Sequence, residues 1–340
     1  MKPTLIFLLL LPFLHAVELD TISNSQFLTD GDTLVSPAGI FELGFFRPGS
    51  SENRYLGIWY KKVPDTVLWV ANRNHPITGA SPVILKVDNP GILILSNNII
   101  TLWSSNTTNP SQNATATVHD NGNLVLMDQQ DKIIWQSFDY LTDTLLPGMK
   151  LGRSFLSGIE WQLTSWKNNQ DPSPGEFTWG ADQDSLGYSE NKLKQGPSVT
   201  FRGGPWSNQR FSGVSTFDMN LTFEYEVVLN ASEVSFSYVI YDSPIISRVT
   251  LNSSGQLQSW VWIENGRKWQ LALAFPREIC DSYNVCSGYA SCSLDMIQQS
   301  CACLDDKRFV PGNPKSWERA DWSGGCVEYR YEPISDTSMS

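Results

Sequence analysis

The 340-residue sequence predicts an all-β protein, and three observations carry that prediction. No long segment shows a convincing 3.6-residue apolar period, whereas short runs rich in Val, Ile, Leu and Trp recur between turns of Gly, Asn, Asp and Pro. Apolar residues make up 41% of the chain, with 13 Trp, 16 Phe and 11 Tyr, enough to pack cores and to argue against global disorder. A unit of turn glycine, short strand and Trp-bearing strand also occurs three times before residue 140. The length suggests two domains with a small third.

The chain starts with Lys2, the apolar stretch Leu5 to Leu14 broken only by Pro12, and then His15-Ala16. This reads as a secretory signal over residues 1–16, too short to span a bilayer. The alternative is a buried N-terminal helix. No later stretch is apolar for long enough to anchor the chain in a membrane. Five Asn-x-Ser/Thr sequons, at Asn106, Asn113, Asn220, Asn230 and Asn252, agree with secretion as N-glycosylation acceptors. Asn109 is excluded because Pro110 follows it.

Residues 17–149 contain the repeat. Ser36-Pro37-Ala38-Gly39-Ile40-Phe41-Glu42-Leu43, Asp88-Asn89-Pro90-Gly91-Ile92-Leu93-Ile94-Leu95 and His119-Asp120-Asn121-Gly122-Asn123-Leu124-Val125-Leu126 each pair a turn glycine with a strand. Each is followed by an apolar strand carrying Trp69, Trp103 or Trp135, so the indoles lie 34 and then 32 residues apart. One such hairpin cannot bury its own apolar face, but three stacked together can close a core. Those indoles are the predicted core, since a buried Trp contributes about 150–250 Å² of area.

The repeat resembles a bulb-type, monocot mannose-binding lectin domain, which implies a β-prism of three sheets. Thr66-Val67-Leu68-Trp69-Val70-Ala71-Asn72-Arg73-Asn74-His75-Pro76-Ile77 is similar to the signature of that domain in plant S-locus receptors, as is Leu34 to Pro37 with Phe41 to Phe46. Trp135-Gln136-Ser137-Phe138-Asp139, leading to Leu146-Pro147-Gly148-Met149, resembles the junction with an S-locus glycoprotein domain. Leu163 to Trp166, Asp171 to Gly175, Gly204-Pro205-Trp206 and Phe211-Ser212-Gly213 resemble that second domain. The resemblance covers nearly all of the mature chain and implies the plant S-locus glycoprotein and lectin-receptor-kinase family.

In bulb lectins each sugar site is a strand reading Gln-x-Asp-x-Asn-x-Val-x-Tyr, whose alternation sets polar groups on one face for hexose hydroxyls. Aligned on the turn glycines, the third repeat supplies His119, Asn121, Asn123, Val125 and Met127. Only Asn123 and Val125 match, and the other two repeats lack the Asp, the Asn and the Tyr. The candidate carbohydrate site is therefore a degenerate one at Asn121, Asn123 and Val125. The competing expectation is that these residues are scaffold.

Residues 150–275 are β-rich by pattern, as in Glu233 to Ile240 and Arg248 to Leu251, and the resemblance implies a second lectin-like β-fold there. All six cysteines follow, at Cys280, Cys286, Cys292, Cys301, Cys303 and Cys326. Six cysteines allow fifteen pairings, and spacing does not choose among them. Secretion favours disulfides over the competing zinc cluster. Residues 276–327 resemble the EGF-like module of the same receptors, with little core and much of its stability from disulfides. The tail 328–340 begins where a PAN module starts in that family, which leads us to expect a truncated receptor or a splice form.

The formal net charge of −11 offers no footprint for nucleic acid or for anionic membrane surfaces. The mature chain keeps only His75 and His119, both in turns, and contains no Gly-x-Ser-x-Gly elbow, phosphate loop or kinase signature. No catalytic residue, cofactor or metal is expected. Only Glu278 supplies a carboxylate just before Cys280, where calcium-binding EGF modules place several. The expected function is a secreted or cell-surface recognition glycoprotein. Its ligand would be a protein or peptide and its partner a receptor kinase of the same family, with a homodimer or a glycan as further possibilities. The resemblance implies recognition of pollen, or defence signalling, as the process. The alternatives are a mannose-type lectin and a receptor serine/threonine kinase lacking its catalytic half.

Overall fold

In a computed structural model, residues 18–97, 99–107, 111–183, 189–207, 211–213, 223–240, 245–294 and 300–329 are described. The signal over residues 1–16, Asn220 and all but the first two residues of the tail lie outside them. The chain divides into two compact units: Met1–Lys150 with Trp166–Gly175, and Leu151–Ser165 with Glu176–Ser340. Among the described residues, helix is confined to short 3-10 turns and the single turn Pro314–Trp317, and no helix is long and apolar enough to cross a membrane.

The first unit holds three sheets, one per repeat, antiparallel except for one edge pairing in the first. In the third, Thr115–Val118, Leu124–Met127 and Ile133–Gln136 pair in order, with Leu126 opposite Trp135. The second consists of Phe27–Thr29, Val83–Asp88, Ile92–Asn97 and Thr101–Ser104, with Leu95 opposite Trp103. The first departs from the simple repeat. Its Trp69 strand, Val63–Val70, pairs with Tyr55–Tyr60 rather than with the turn strand Phe41–Phe46, because Tyr55–Tyr60 is inserted between them. All six residues of that inserted strand are buried. The segment before it ties the sheets together. Glu18–Leu19 runs parallel to Thr33–Val35 in the first sheet, Ile22 bridges Ala116 of the third, and Phe27–Thr29 edges the second.

Alternating apolar residues point inward from each sheet, and Leu34, Leu43, Leu85, Leu93, Leu95, Leu124 and Leu126 are fully buried. The three tryptophans meet as the repeat predicts, but only Trp69 and Trp135 are buried; Trp103, expected in the core, is half-buried because its edge faces an open cleft. Their ring centroids are 6.0 Å (Trp69–Trp103), 6.1 Å (Trp69–Trp135) and 5.6 Å (Trp103–Trp135) apart, each pair edge to face. That geometry sets the positive edge of one ring on the negative face of the next. At the third turn, Gly122 has φ +89°, and a Cβ there would lie 2.8 Å from Leu146 and 2.9 Å from Phe41. Glycine is required at that turn on both counts.

In the second unit the described strands are again antiparallel, and they include the two legible in sequence, at Glu233–Ile240 and Ser247–Leu251. Glu233–Ile240 pairs with Phe223–Leu229 and with Leu151–Ser154. Ser247–Leu251, Leu257–Ile263 and Lys268–Phe275 form a meander. Trp179, Phe201 and Phe275 stack in series, with centroids 5.9 and 5.7 Å apart.

The cysteine-rich segment is held by three disulfides, Cys280–Cys292, Cys286–Cys301 and Cys303–Cys326, and no cysteine is free. They bracket two short hairpins, Ala290–Cys292 with Cys301–Cys303 and Phe309–Pro311 with Cys326–Glu328. Trp317 and Trp322 pack on the buried sulfurs of Cys286, Cys301 and Cys326. The sulfurs of Cys286, Cys292 and Cys301 lie within 4.8 Å of one another, but each is bound in a disulfide, so none offers a thiolate to a metal.

Candidate functional site

The degenerate sugar strand is built around one buried amide. Asn121 is exposed in the turn and accepts from the Asn123 backbone N–H at 3.0 Å. The Asn123 side chain turns inward. Its Nδ2 donates to Gln136 Oε1 at 2.9 Å, while its Oδ1 accepts from Ser137 Oγ at 3.1 Å and from the Phe138 N–H at 3.2 Å. Those bonds use three of the four hydrogen-bonding positions of an amide. Ser137 Oγ in turn accepts from the Leu124 N–H at 2.9 Å, and Gln136 Nε2 donates to Asp139 at 3.1 Å. Val125 is 0% exposed, and its neighbours Leu124 and Leu126 are equally buried. Both faces of the strand are therefore covered as folded. The Trp135-to-Asp139 segment, which in sequence marks only a family resemblance, is the partner of Asn123. Its polar spacing was the available signal: a buried amide needs partners, and Gln136 ends the adjoining strand while Ser137 opens the 3-10 turn that follows it.

The other signature stretch, through Asn72 and Arg73, is also structural. Asn72 Oδ1 accepts from the Leu56 N–H, and its Nδ2 donates to the His75 carbonyl, both at 2.8 Å. Arg73 is buried and donates from Nε to the Pro172 carbonyl at 2.5 Å. Burial pulls its guanidinium pKa down, and Asp143 and Asp171 partly restore it. His75 and His119 sit in turns, their N–H groups bonded to the carbonyls of Asn72 and Asn123.

An open feature of the first unit lies where the tryptophans reach the surface. A cleft of about 540 Å³ is lined by Trp69, Trp103, Trp135, Tyr140, His75 and Asn106, among others. Trp69 is buried and donates its indole N–H to the Tyr140 carbonyl at 2.7 Å. Tyr140 stacks on Trp135 with centroids 5.6 Å apart and planes at 15°, and remains 51% exposed. Trp103 is half-buried, and Asn106 is exposed.

Four sequons lie among the described residues. Asn106 and Asn113 are exposed with left-handed backbones, φ +46° and +56°. Asn230 and Asn252 each accept from the backbone and hydroxyl of the residue two positions on, Ser232 and Ser254.

Glu190, in the second unit, is a buried carboxylate that receives a two-pronged contact from Arg202 and lies 3.2 Å from Lys192. Burial alone would raise its pKa, but the bonds and charges of Arg202 and Lys192 outweigh that and hold the carboxyl below its ordinary value. The Arg202 guanidinium also lies 5.2 Å from the Tyr283 ring centroid, and the Tyr283 N–H donates to the Thr200 carbonyl at 2.7 Å. These contacts join the cysteine-rich segment to the strands before it.

Two family models match the chain: a D-mannose binding lectin domain over residues 66–167 and an S-locus glycoprotein domain over residues 201–313. S-locus-specific glycoprotein BS29-2 of Brassica oleracea var. alboglabra is 37% identical over 333 residues, covering 95% of this chain and 75% of that protein. Receptor-like serine/threonine-protein kinase SD1-7 of Arabidopsis thaliana is 38% identical over 328 residues, covering 95% of this chain but 38% of the kinase. The chain thus spans well under two thirds of the length of such receptor kinases. Among solved structures, the mannose-specific agglutinin of snowdrop (Galanthus nivalis) bulbs is 20% identical and covers 32% of this chain and 90% of that one, with a TM-score of 0.26. On the extent and identity of the match to the Brassica glycoprotein, the chain belongs to the plant S-locus glycoprotein family, to which the G-type lectin S-receptor-like kinases are also related.

Proposed function

We propose that the chain is the extracellular recognition part of an S-locus-type glycoprotein or receptor, secreted or held at the cell surface, and that it binds a protein or peptide ligand. The observation that carries this reading is the state of the one sugar-like strand. Three of the four hydrogen-bonding positions of the Asn123 amide are satisfied internally, and Val125 is 0% exposed. A hexose would have to break a buried polar network, which costs more than the new bonds return. The lectin scaffold then serves to present surface rather than to hold mannose. Association with a receptor kinase of the same family, self-association, and the absence of catalysis within these residues belong to the same proposal. The names of the relatives support the first of these.

The test is mannan affinity chromatography of the secreted glycoprotein, beside co-precipitation with a co-expressed full-length receptor kinase of the family. The expected result is no retention on mannan and recovery of the kinase. Retention that is lost in Asn123→Ala would overturn the reading in favour of a mannose lectin.

A further inference from the structure

We infer that an N-linked glycan on Asn106 lies in the aromatic cleft of the first unit, with its root sugar covering Trp103 and Tyr140. The inference rests on the proposed secretion of the chain, since N-glycosylation accompanies passage through the secretory pathway.

The cleft exposes two aromatic surfaces that the prism leaves uncovered. Trp103 is half-buried although it belongs to the indole triad, and Tyr140 is 51% exposed while stacked on Trp135. A pyranose ring fits such a surface: its C–H face covers an aromatic ring while its hydroxyls stay wet, and aromatic walls with a few polar groups are what small-ligand sites are built from. The volume of about 540 Å³ leaves room for a sugar ring.

The attachment point is already in the wall. Asn106 lines the same cleft, is exposed, and begins the sequon Asn106-Thr107-Thr108. It lies three residues beyond Trp103 on the same segment, with a left-handed backbone at φ +46°. Its side-chain carbonyl accepts from Ser104 Oγ. Glycan attachment uses Nδ2, so that bond survives modification. The tether is therefore short, and the effective concentration of the root sugar at the cleft is high without any new binding energy.

The consequence is that this end of the prism is closed by carbohydrate belonging to the chain itself. A free glycan or an aromatic-seeking peptide would reach the triad only in protein lacking the Asn106 glycan.

The experiment uses the glycoprotein secreted from plant cells. Intact-glycopeptide mass spectrometry reads occupancy at Asn106, Asn113, Asn230 and Asn252, and hydroxyl-radical footprinting reads access to Trp103 and Tyr140. The expected result is occupancy at Asn106 with both aromatic residues protected. Their labelling should rise severalfold in Asn106→Gln and stay unchanged in Asn113→Gln. Trimming the folded wild-type protein with an endoglycosidase that leaves only the root sugar should keep the protection, and complete removal should abolish it. This second comparison stands even if Asn106→Gln fails to fold. An unoccupied Asn106 beside occupied sequons elsewhere, or equal labelling with and without its glycan, overturns the inference alone. No occupancy at any sequon overturns the secretion reading with it.

Discussion

In the first unit the hairpin Thr115–Val118 with Leu124–Met127 belongs to a core that contains no cysteine, and its leucines reach 0% exposure. In the cysteine-rich segment the hairpin Ala290–Cys292 with Cys301–Cys303 has three residues a side and is fastened by disulfides at Cys292, Cys301 and Cys303. Neither hairpin is large enough to be stable alone in water. Stacking three copies multiplies buried apolar area, whereas a segment of about fifty residues has too little interior for that and restrains its unfolded state instead. The difference shows that repetition and cross-linking are interchangeable answers to one deficit, chosen by how much chain is available.

The comparison breaks most sharply at the indole triad. Trp135→Ala is expected to cost the prism about 3–5 kcal/mol. Two centroid contacts near 6 Å and the stack with Tyr140 go with it. Denaturant unfolding followed by hydrogen exchange should show the loss in strands of the first unit, with the disulfide-held hairpins unchanged. The complementary change is Cys286→Ser with Cys301→Ser, which opens the buried bridge on which Trp317 packs. It should cost the cysteine-rich segment about 2–5 kcal/mol and leave the prism untouched. Limited proteolysis between residues 280 and 326 checks this. If either change destabilises both regions equally, the two are not independent and the comparison fails.

A smaller effect tests whether the prism treats its one sugar-like strand as scaffold. Asn123→Ala strands Ser137 Oγ and the Phe138 N–H without their acceptor and should lower stability by about 1–3 kcal/mol. Thermal unfolding measures this, and a loss below that range would mean that the amide is held for something other than the fold.

The smallest effect concerns acid. Glu190 has a folded carboxyl pKa below its unfolded value, so its contribution is complete above the ordinary Glu range near ~4.3. As pH falls from there through the lower folded value, the unfolded chain takes up the proton first and that contribution is lost. Glu190→Gln should therefore flatten the acid limb of the stability curve of the second unit, and urea midpoints between mildly acidic and strongly acidic pH read it out. An unchanged acid limb would mean that the Arg202 contact adds nothing to folding.

Much of this was open to reading beforehand, for local reasons. The strands at Glu233–Ile240 and near Arg248 announce themselves by alternation, and the three tryptophans by their nearly even spacing. The inserted strand Tyr55–Tyr60 was not separable from its surroundings. Its six residues are all buried, so it lacks the alternation that marks a one-sided strand. The candidate sugar residues were found by register, but register does not say which way an amide turns. That Asn123 bonds Gln136 and Ser137 depends on residues 13 and 14 positions further along the chain.

The amino-acid sequence by itself determined the β character, the threefold repeat, the tryptophans of its core and the confinement of every cysteine to one segment. Each of these follows from short-range pattern: period, turn chemistry and composition. Only the tertiary structure decided which of fifteen pairings the cysteines take, that the Asn123 amide is spent on the fold, and that the edge of the indole triad opens beside a sequon. Those depend on distances between residues far apart in the chain, which local pattern does not encode and packing does.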